Sequence, residues 1–233
     1  MERPIPTILF LHGALGTSAE LAPLMHIMEE KGFPCASFNF RGHGKNATMP
    51  ESFRIDQFAQ ELEHYLKQHR PKHVVAFGHS MGGYVALYHK ANYDDSPFEA
   101  IFAYGTKFNW SESSVHKELN MLNPDHLVEK FPAYALALNE KHGENWKHLM
   151  KNTAHLMQNL ERLDGLTRED LHDIHIPVVL LLGDQDRMVT SEETLSTAAK
   201  LPKSQVKTIS HSKHEMERAN LKEISSILTE FLR

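Results

Sequence analysis

Short runs of apolar residues alternate along the chain with longer segments in which apolar residues recur every three or four positions. The runs have the length and the β-branched content of buried strands. They cover residues 5–11, 73–77, 99–104 and 177–182, and two further predicted strands, residues 35–40 and 205–209, contain more polar residues. The segments between them have the spacing of helices that bury one face. Because strands that alternate with helices form parallel sheets with right-handed crossovers, the pattern predicts an α/β fold with a mostly parallel six-stranded sheet flanked by helices.

One segment breaks this alternation, because residues 105–175 are far too many for a single crossover helix. Asn123-Pro124, Pro132 and Gly143 divide it into several predicted helices. A longer helix follows, and its apolar face consists of Trp146, Leu149, Met150, Met157 and Leu160. We therefore expect a single domain over residues 1–233, with a helical cap inserted at about 106–175, before the last two strands.

The sequence Gly78-His79-Ser80-Met81-Gly82 lies where the third predicted strand meets a helical segment. It has the pattern G-x-S-x-G, with a glycine two residues before and two residues after the serine. A strand-to-helix turn this tight leaves no space for side chains beside its apex, and glycine also tolerates a strained backbone. The hydroxyl of Ser80 is therefore expected to point out of the fold.

The chain resembles the α/β-hydrolase family, because the other landmarks of that family occur here in the same order. They are His12-Gly13 after the first predicted strand, Arg41-Gly42-His43-Gly44 after the second, Asp186 after the fifth and His214 after the sixth. The resemblance implies that Ser80 is the nucleophile, His214 the base and Asp186 the acid that orients the base. It also implies an oxyanion hole formed by the backbone N–H groups of Ala14 and Met81.

Two of these roles have a competitor nearby in the sequence. Asp184 follows the same predicted strand as Asp186, but the acid position of the family lies three residues beyond Gly183, which selects Asp186. Aspartates at strand ends often hold turns, and this is the role expected of Asp184. His211 lies closer to the last predicted strand than His214 does. In the family a short loop separates the strand from the base, which selects His214.

These residues predict a serine hydrolase that cleaves carboxylic esters through an acyl-enzyme and uses no cofactor and no metal. Thioesters and amides are alternative substrates for the same chemistry. The tryptophan and methionine residues of the cap favour a small-molecule substrate with an apolar acyl group. Two other functions stay open: a lyase or carbon–carbon bond hydrolase acting on a small anionic metabolite, with Lys107, Arg162 and Arg168 as pocket cations, and a non-catalytic ligand receptor.

The composition limits the kinds of binding partner that we expect. A net charge of −5 gives no general attraction for nucleic acid or anionic membranes, and no apolar run reaches the length of a membrane span. The 17 histidines are scattered without the spacing of a zinc site, and most are expected to be solvated. Residues 1–6 lack a signal-peptide pattern and Cys35 is the single cysteine, so a cytoplasmic location is expected. The oligomeric state stays open.

Overall fold

A computed structural model describes residues 4–45, 47–162 and 165–233 of the chain. Six strands form one sheet: β1 Thr7–Leu11, β2 Cys35–Ser37, β3 Val74–His79, β4 Phe98–Tyr104, β5 Val178–Gly183 and β6 Ser204–Ile209. Their order in space is β2-β1-β3-β4-β5-β6, and every neighbouring pair is parallel. The predicted α/β fold with a six-stranded parallel sheet is therefore confirmed. Residues 1–3, part of the segment used for the signal-peptide expectation, lie outside the described residues.

Helices cover both faces of this sheet. Their bounds are α1 Ala22–Glu30, α2 Ile55–His69, α3 Met81–Asn92, α4 Glu112–Met121, α5 Pro124–Lys130, α6 Pro132–His142, α7 Trp146–Arg162, α8 Arg168–His172, α9 Ser191–Ala198 and α10 Leu221–Leu232. On one face, Leu24 of α1 and Ile224 of α10 share an apolar cluster with Phe77. On the other face, Leu62 of α2 shares a cluster with Ala76. Within the described ranges, none of the helices is long and apolar enough to cross a membrane.

The apolar run of the central strand β3 does not alternate with polar residues, because both faces of this strand are buried. Successive side chains of a strand point to opposite faces. Val75 and Phe77 accordingly belong to the cluster on one face, and Val74 and Ala76 to the cluster on the other. Because helices cover both faces, all the residues of β3 are buried. The strand ends beside Ser80, at the edge of the sheet where α/β proteins bind their ligands.

The edge strand β2 is shorter than the predicted strand 35–40, because it ends at Ser37. The chain then leaves the sheet, and the N–H of Phe40 donates to Nε2 of His12 at 3.0 Å. The ring of Phe40 packs edge-on against Phe58 of α2, with 5.2 Å between ring centroids. Phe38 and Phe40 therefore pack against α2 beside the loop after β1, and neither pairs in the sheet.

The long segment between β4 and β5 forms the helices α4 to α8. The side chain of Asn123 caps α5 by accepting hydrogen bonds from the N–H groups of Asp125 and His126, at 3.0 and 3.2 Å. Pro132 is the first residue of α6, and Gly143 follows its last residue with φ 68°. The three predicted breaks at Asn123-Pro124, Pro132 and Gly143 are thus confirmed.

This inserted segment has a small core of its own and also joins the main core. Its own cluster consists of Leu127, Ala135, Leu138, Trp146 and Met150. In addition, Leu149, Leu156 and Leu160 of α7 belong to the large cluster that contains Tyr84 of α3. The segment is therefore packed firmly onto the sheet and its helices. Its role as a functional cap over residues 106–175 stays a prediction.

Candidate active site

Ser80 lies at the turn between β3 and α3, with backbone angles φ 50° and ψ −115°. A positive φ is strained for a residue with a side chain, so the surrounding structure must hold it in place. The N–H of Ser80 donates to the carbonyl of Tyr104 at 2.8 Å. A Cβ atom on Gly78 would overlap the backbone of Gly83, and one on Gly82 would overlap the end of β1. Close approach of the backbone thus requires both glycines of the motif.

The imidazole of His214 connects Ser80 to Asp186. Its Nε2 lies 3.2 Å from Oγ of Ser80, and its Nδ1 lies 2.9 Å from Oδ2 of Asp186. The other oxygen of Asp186 accepts hydrogen bonds from the N–H groups of Met188 and Val189, at 2.8 and 2.9 Å. An ionised carboxylate can only accept a hydrogen bond, so its partner Nδ1 must carry the proton of the neutral imidazole. This leaves Nε2 free to accept the hydroxyl proton of Ser80.

Asp186 is ionised although its side chain is fully buried. Burial by itself raises the pKa of Asp186. The hydrogen bond and charge of His214, together with the N–H groups of Val189 and Met188, outweigh this effect and lower the pKa below its ordinary value. The buried carboxylate can therefore stabilise a positive charge on the imidazole of His214.

The competitor Asp184 holds the loop that carries His214. Asp184 is exposed, and its Oδ1 accepts a hydrogen bond from the N–H of Ser212 at 3.0 Å. Backbone hydrogen bonds from Ser212 and His211 lower the pKa of Asp184. His211 is also exposed, at a turn with φ 54°. The structure brings Asp186 and His214 to Ser80, and it places Asp184 in the turn-holding position expected from the sequence.

Two further side chains fix the backbone of the loop after β6. The hydroxyl of Tyr104 donates to the carbonyl of Lys213, and Nε2–H of His79 donates to the carbonyl of His214 at 2.9 Å. Burial lowers the pKa of His79 to about 3, so this imidazole stays neutral. Sequence reasoning missed both residues. The only signal was the place of His79 directly before Ser80.

The loop after β1 forms a turn beside Ser80. The N–H of Gly16 donates to the carbonyl of Gly13 at 3.1 Å, which closes a four-residue turn. Nδ1–H of His12 donates to the same carbonyl at 2.8 Å, because Nε2 of this ring already accepts from a backbone N–H. A Cβ atom on Gly13 would lie 2.9 Å from Nδ1 of the buried His79 and 3.3 Å from Cβ of Ser80, so the close approach of the two segments favours glycine.

This turn also fixes the orientation of the N–H of Ala14. In a trans peptide, the carbonyl and the N–H of one peptide unit point in opposite directions. Because two donors hold the carbonyl of Gly13, the N–H of Ala14 in the same peptide unit is held as well. Met81 is the first residue of α3, where the N–H groups have no partner inside the helix. Met81 follows Ser80 directly, and Gly13, the residue before Ala14, lies beside Ser80.

A group of histidines is buried in the protein, with at most 7% of the surface of each side chain exposed. They are His12, His43, His79, His89 and His142. These five are exceptions, because most of the 17 histidines are exposed, as expected. Burial lowers the pKa values of the five buried histidines, and that of His12 falls to about 4. Over the ranges that the structure describes, no group of three or more histidine, cysteine, aspartate or glutamate side chains is arranged to hold a metal ion.

The three cations considered for an anionic substrate lie in different surroundings. Lys107 is buried, and its Nζ donates to the carbonyl of Met188 at 3.2 Å. The same Nζ lies 3.8 Å from Glu118 and 3.9 Å from Glu193. The charge of Lys107 is therefore already paired. Arg162 and Arg168 are exposed on the surface.

The relatives found among known proteins include an esterase/lipase and a metabolite hydrolase. The provisionally named esterase/lipase 2 of Mycoplasma genitalium is 32% identical over 80 residues, which cover 34% of this chain and 30% of that protein. The chain thus matches less than a third of the length of this relative. The 2-(acetamidomethylene)succinate hydrolase of Mesorhizobium japonicum is 20% identical over 247 aligned positions, which cover 97% of this chain and 88% of that protein.

The structural comparison gives the same fold. A thermophilic esterase from Thermogutta terrifontis superposes with a TM-score of 0.78 at 18% identity, over 98% of this chain and 89% of that structure. The family described as "Serine aminopeptidase, S33" matches residues 2–218, which is nearly the whole chain. The protein is therefore a member of this serine aminopeptidase S33 family of α/β-hydrolase enzymes.

Proposed function

We propose that this enzyme cleaves carboxylic esters through a covalent acyl-enzyme formed on Ser80. The observation that carries the proposal is the hydrogen-bonded chain from Ser80 through His214 to Asp186. Oγ of Ser80 attacks the ester carbonyl while Nε2 of His214 takes its proton. The bond to the leaving oxygen then breaks, and the alcohol departs with that proton. Water attacks the acyl-enzyme by the same route, which releases the carboxylic acid and restores Ser80.

The N–H groups of Ala14 and Met81 are the proposed donors to the oxyanion. Charge develops on the carbonyl oxygen as Ser80 attacks, and donors that are already oriented stabilise it without reorganisation. The fixed peptide unit before Ala14 and the first N–H of α3 meet this requirement. Removal of one such donor typically lowers kcat by about 10²- to 10³-fold.

We also propose that the acyl group of the ester substrate is apolar. The side chain of Leu15, next to Ala14 in the turn, packs against the apolar cluster of the inserted segment that contains Leu138, Trp146 and Met150. Apolar surface thus lies close to the proposed oxyanion donors. The esterase names of the Mycoplasma genitalium relative and of the Thermogutta terrifontis structure favour the same reaction class.

Hydrolysis of a small anionic metabolite is the second candidate. The Mesorhizobium japonicum relative matches 97% of this chain and is named for a succinate derivative. A carboxylate substrate needs an unpaired cation in the pocket. Lys107 is already paired with two glutamates, which leaves the exposed Arg162 and Arg168 as the cations for this candidate.

A fluorophosphonate label tests the nucleophile, because it reacts with activated serines. We expect the wild-type protein to be labelled and Ser80→Ala to be neither labelled nor active. Ser113→Ala, at an exposed position on α4, is the matched control and should behave as wild type. Undiminished turnover in Ser80→Ala would disprove the proposal. Absence of both labelling and turnover in the wild type would favour a ligand receptor.

A series of p-nitrophenyl esters from acetate to octanoate tests the acyl group. Each buried methylene contributes about 0.8 kcal/mol, so two added carbons should raise kcat/KM on the order of tenfold until the pocket is filled. A flat series would remove the apolar acyl group from the proposal. A preference for succinate-type esters that Arg162→Ala abolishes would favour the second candidate.

A further inference from the structure

The buried side chain of His142 joins three segments that are distant in the sequence. It is the last residue of α6 and only 1% of it is exposed. Its Nδ1 lies 2.9 Å from the N–H of Gly44, and its Nε2 lies 2.9 Å from the carbonyl of Leu15. A backbone N–H can only donate, so Nδ1 accepts and Nε2 carries the proton. His142 therefore donates to Leu15, in the turn that holds the N–H of Ala14.

This turn needs support from outside. Leu15 has φ 58°, a left-handed conformation that favours glycine at the third position of a turn. A leucine is strained there, and strained residues persist only where neighbouring groups hold them. The hydrogen bond from His142 holds the carbonyl of Leu15. The carbonyl of Leu15 shares its peptide unit with the N–H of Gly16, which donates to the carbonyl of Gly13. Without the hydrogen bond from His142, we expect this peptide unit to rotate, which would leave the carbonyl of Gly13, and with it the N–H of Ala14, held by His12 alone.

A second contact links the end of α6 to the same region. Nζ of Lys141 forms an ion pair with Glu20, in the helical turn after Gly16. The carboxylate of Glu20 in turn occupies the space that a side chain on Gly16 would need. Two consecutive residues at the end of α6 thus contact the turn formed by residues 13–16 and the residues directly after it. The inserted segment and the proposed oxyanion donor are physically coupled.

We propose that His142 is a positioning residue that couples the inserted segment to the oxyanion hole. The N–H of Ala14 is fully held for catalysis while α6 is seated and His142 fixes the Leu15–Gly16 peptide unit, which supplies one of the two donors to the carbonyl of Gly13. This inference rests on the proposed function, because it assigns His142 to the same reaction. It predicts a loss in kcat, with little change in KM, because the affected group contacts the substrate oxygen most strongly in the transition state.

The test compares His142→Ala with His142→Gln on one p-nitrophenyl ester. His142→Ala should lower kcat by about 30-fold per active site, as counted by fluorophosphonate titration, and change KM by less than about threefold. The amide of His142→Gln can donate to Leu15 and should recover most of the activity. Inhibition by a boronic acid, which forms a tetrahedral adduct on the serine, should weaken by the same factor as kcat/KM falls. His148→Ala, an exposed histidine on α7, is the control.

A second variant separates the inference from loss of stability. Glycine adopts φ 58° without strain, so Leu15→Gly should restore much of the activity that His142→Ala loses. The inference is overturned if kcat per titrated site in His142→Ala stays within about twofold of wild type. It is also overturned if Leu15→Gly and His142→Ala have independent effects. A wild type that is neither labelled nor active would instead disprove the proposed function.

Discussion

The imidazole of His79 donates a hydrogen bond to the backbone carbonyl of His214 at 2.9 Å, and the two rings lie 5.3 Å apart. The residue before Ser80 therefore holds the backbone of the proposed base. The proposed nucleophile and base come from the end of β3 and from the loop after β6, and β4 and β5 lie between these two strands in the sheet. His79 is a direct connection between these two segments.

We expect His79→Phe to lower kcat about tenfold, because it keeps an aromatic ring but leaves the carbonyl of His214 without its donor. A buried carbonyl that loses its partner costs about 1–3 kcal/mol, so the free energy of unfolding should fall as well. Steady-state kinetics on one ester and urea unfolding measure the two effects. His64→Phe, at an exposed position on α2, serves as the control. Unchanged kcat in His79→Phe would show that the base needs no support from this ring.

The two histidines after β6 should differ sharply in their contribution. His214→Ala should reduce turnover as much as Ser80→Ala does, because a catalytic triad acts as a unit. His211→Ala should reduce it less than about tenfold, which corresponds to under about 1.4 kcal/mol of barrier. Both variants are compared on one ester at one pH. The opposite ranking would transfer the role of base to His211.

The two aspartates after β5 allow a similar comparison between two variants. Asp186→Asn should lower kcat by on the order of 10³- to 10⁴-fold, because an amide can hold the imidazole of His214 in the wrong tautomer. Asp184→Asn keeps an oxygen that can accept from Ser212, so its effect should stay below about threefold. The comparison of kcat at neutral pH decides between them. A large loss in Asp184→Asn alone would refute the assignment of Asp186.

The fold and the three central side chains were predictable because their signals are local. An uninterrupted apolar run such as residues 73–77 indicates a strand buried on both faces, and two glycines around Ser80 indicate a tight turn. Asp186 and His214 each follow a predicted strand by a few residues. The resemblance to a known family then gave these positions their roles, which spacing alone could not do.

The contacts that hold the site in place were not predictable, because they join residues far apart in the sequence. His142 contacts Leu15 across 127 positions, and His79 contacts His214 across 135. Lys107 appeared to be an available cation, but it is paired with Glu118 and Glu193. Nothing in the local pattern of charges or apolar residues reports such pairings, since they depend on how the segments pack.

The buried histidines make stability depend on pH. In the unfolded chain a histidine titrates near pH 6.5, whereas in the folded protein burial lowers the pKa of His12 to about 4 and that of His79 to about 3. Below pH 6.5 the unfolded chain therefore binds protons that the folded protein excludes. Each such histidine contributes stability that is complete above pH 6.5 and is lost as the pH falls toward its folded pKa. Glu20 and Glu61 oppose this trend, because burial raises their pKa values.

Urea unfolding at pH 7.5, 6.5 and 5.5 measures this dependence. The free energy of unfolding should fall between pH 6.5 and 5.5 by about 1 kcal/mol for each histidine that stays neutral in the folded protein, less the opposing effect of the two glutamates. Replacement of a buried histidine, as in His12→Gln, should remove about one of the protons taken up on unfolding. The free energy of unfolding should then depend less steeply on pH. Replacement of an exposed histidine, as in His148→Gln, should leave this dependence unchanged, because its side chain is exposed to water in the folded protein as well. A free energy of unfolding that is equal at pH 7.5 and 5.5, or proton release on unfolding at pH 5.5, would show that these histidines are not held neutral by burial.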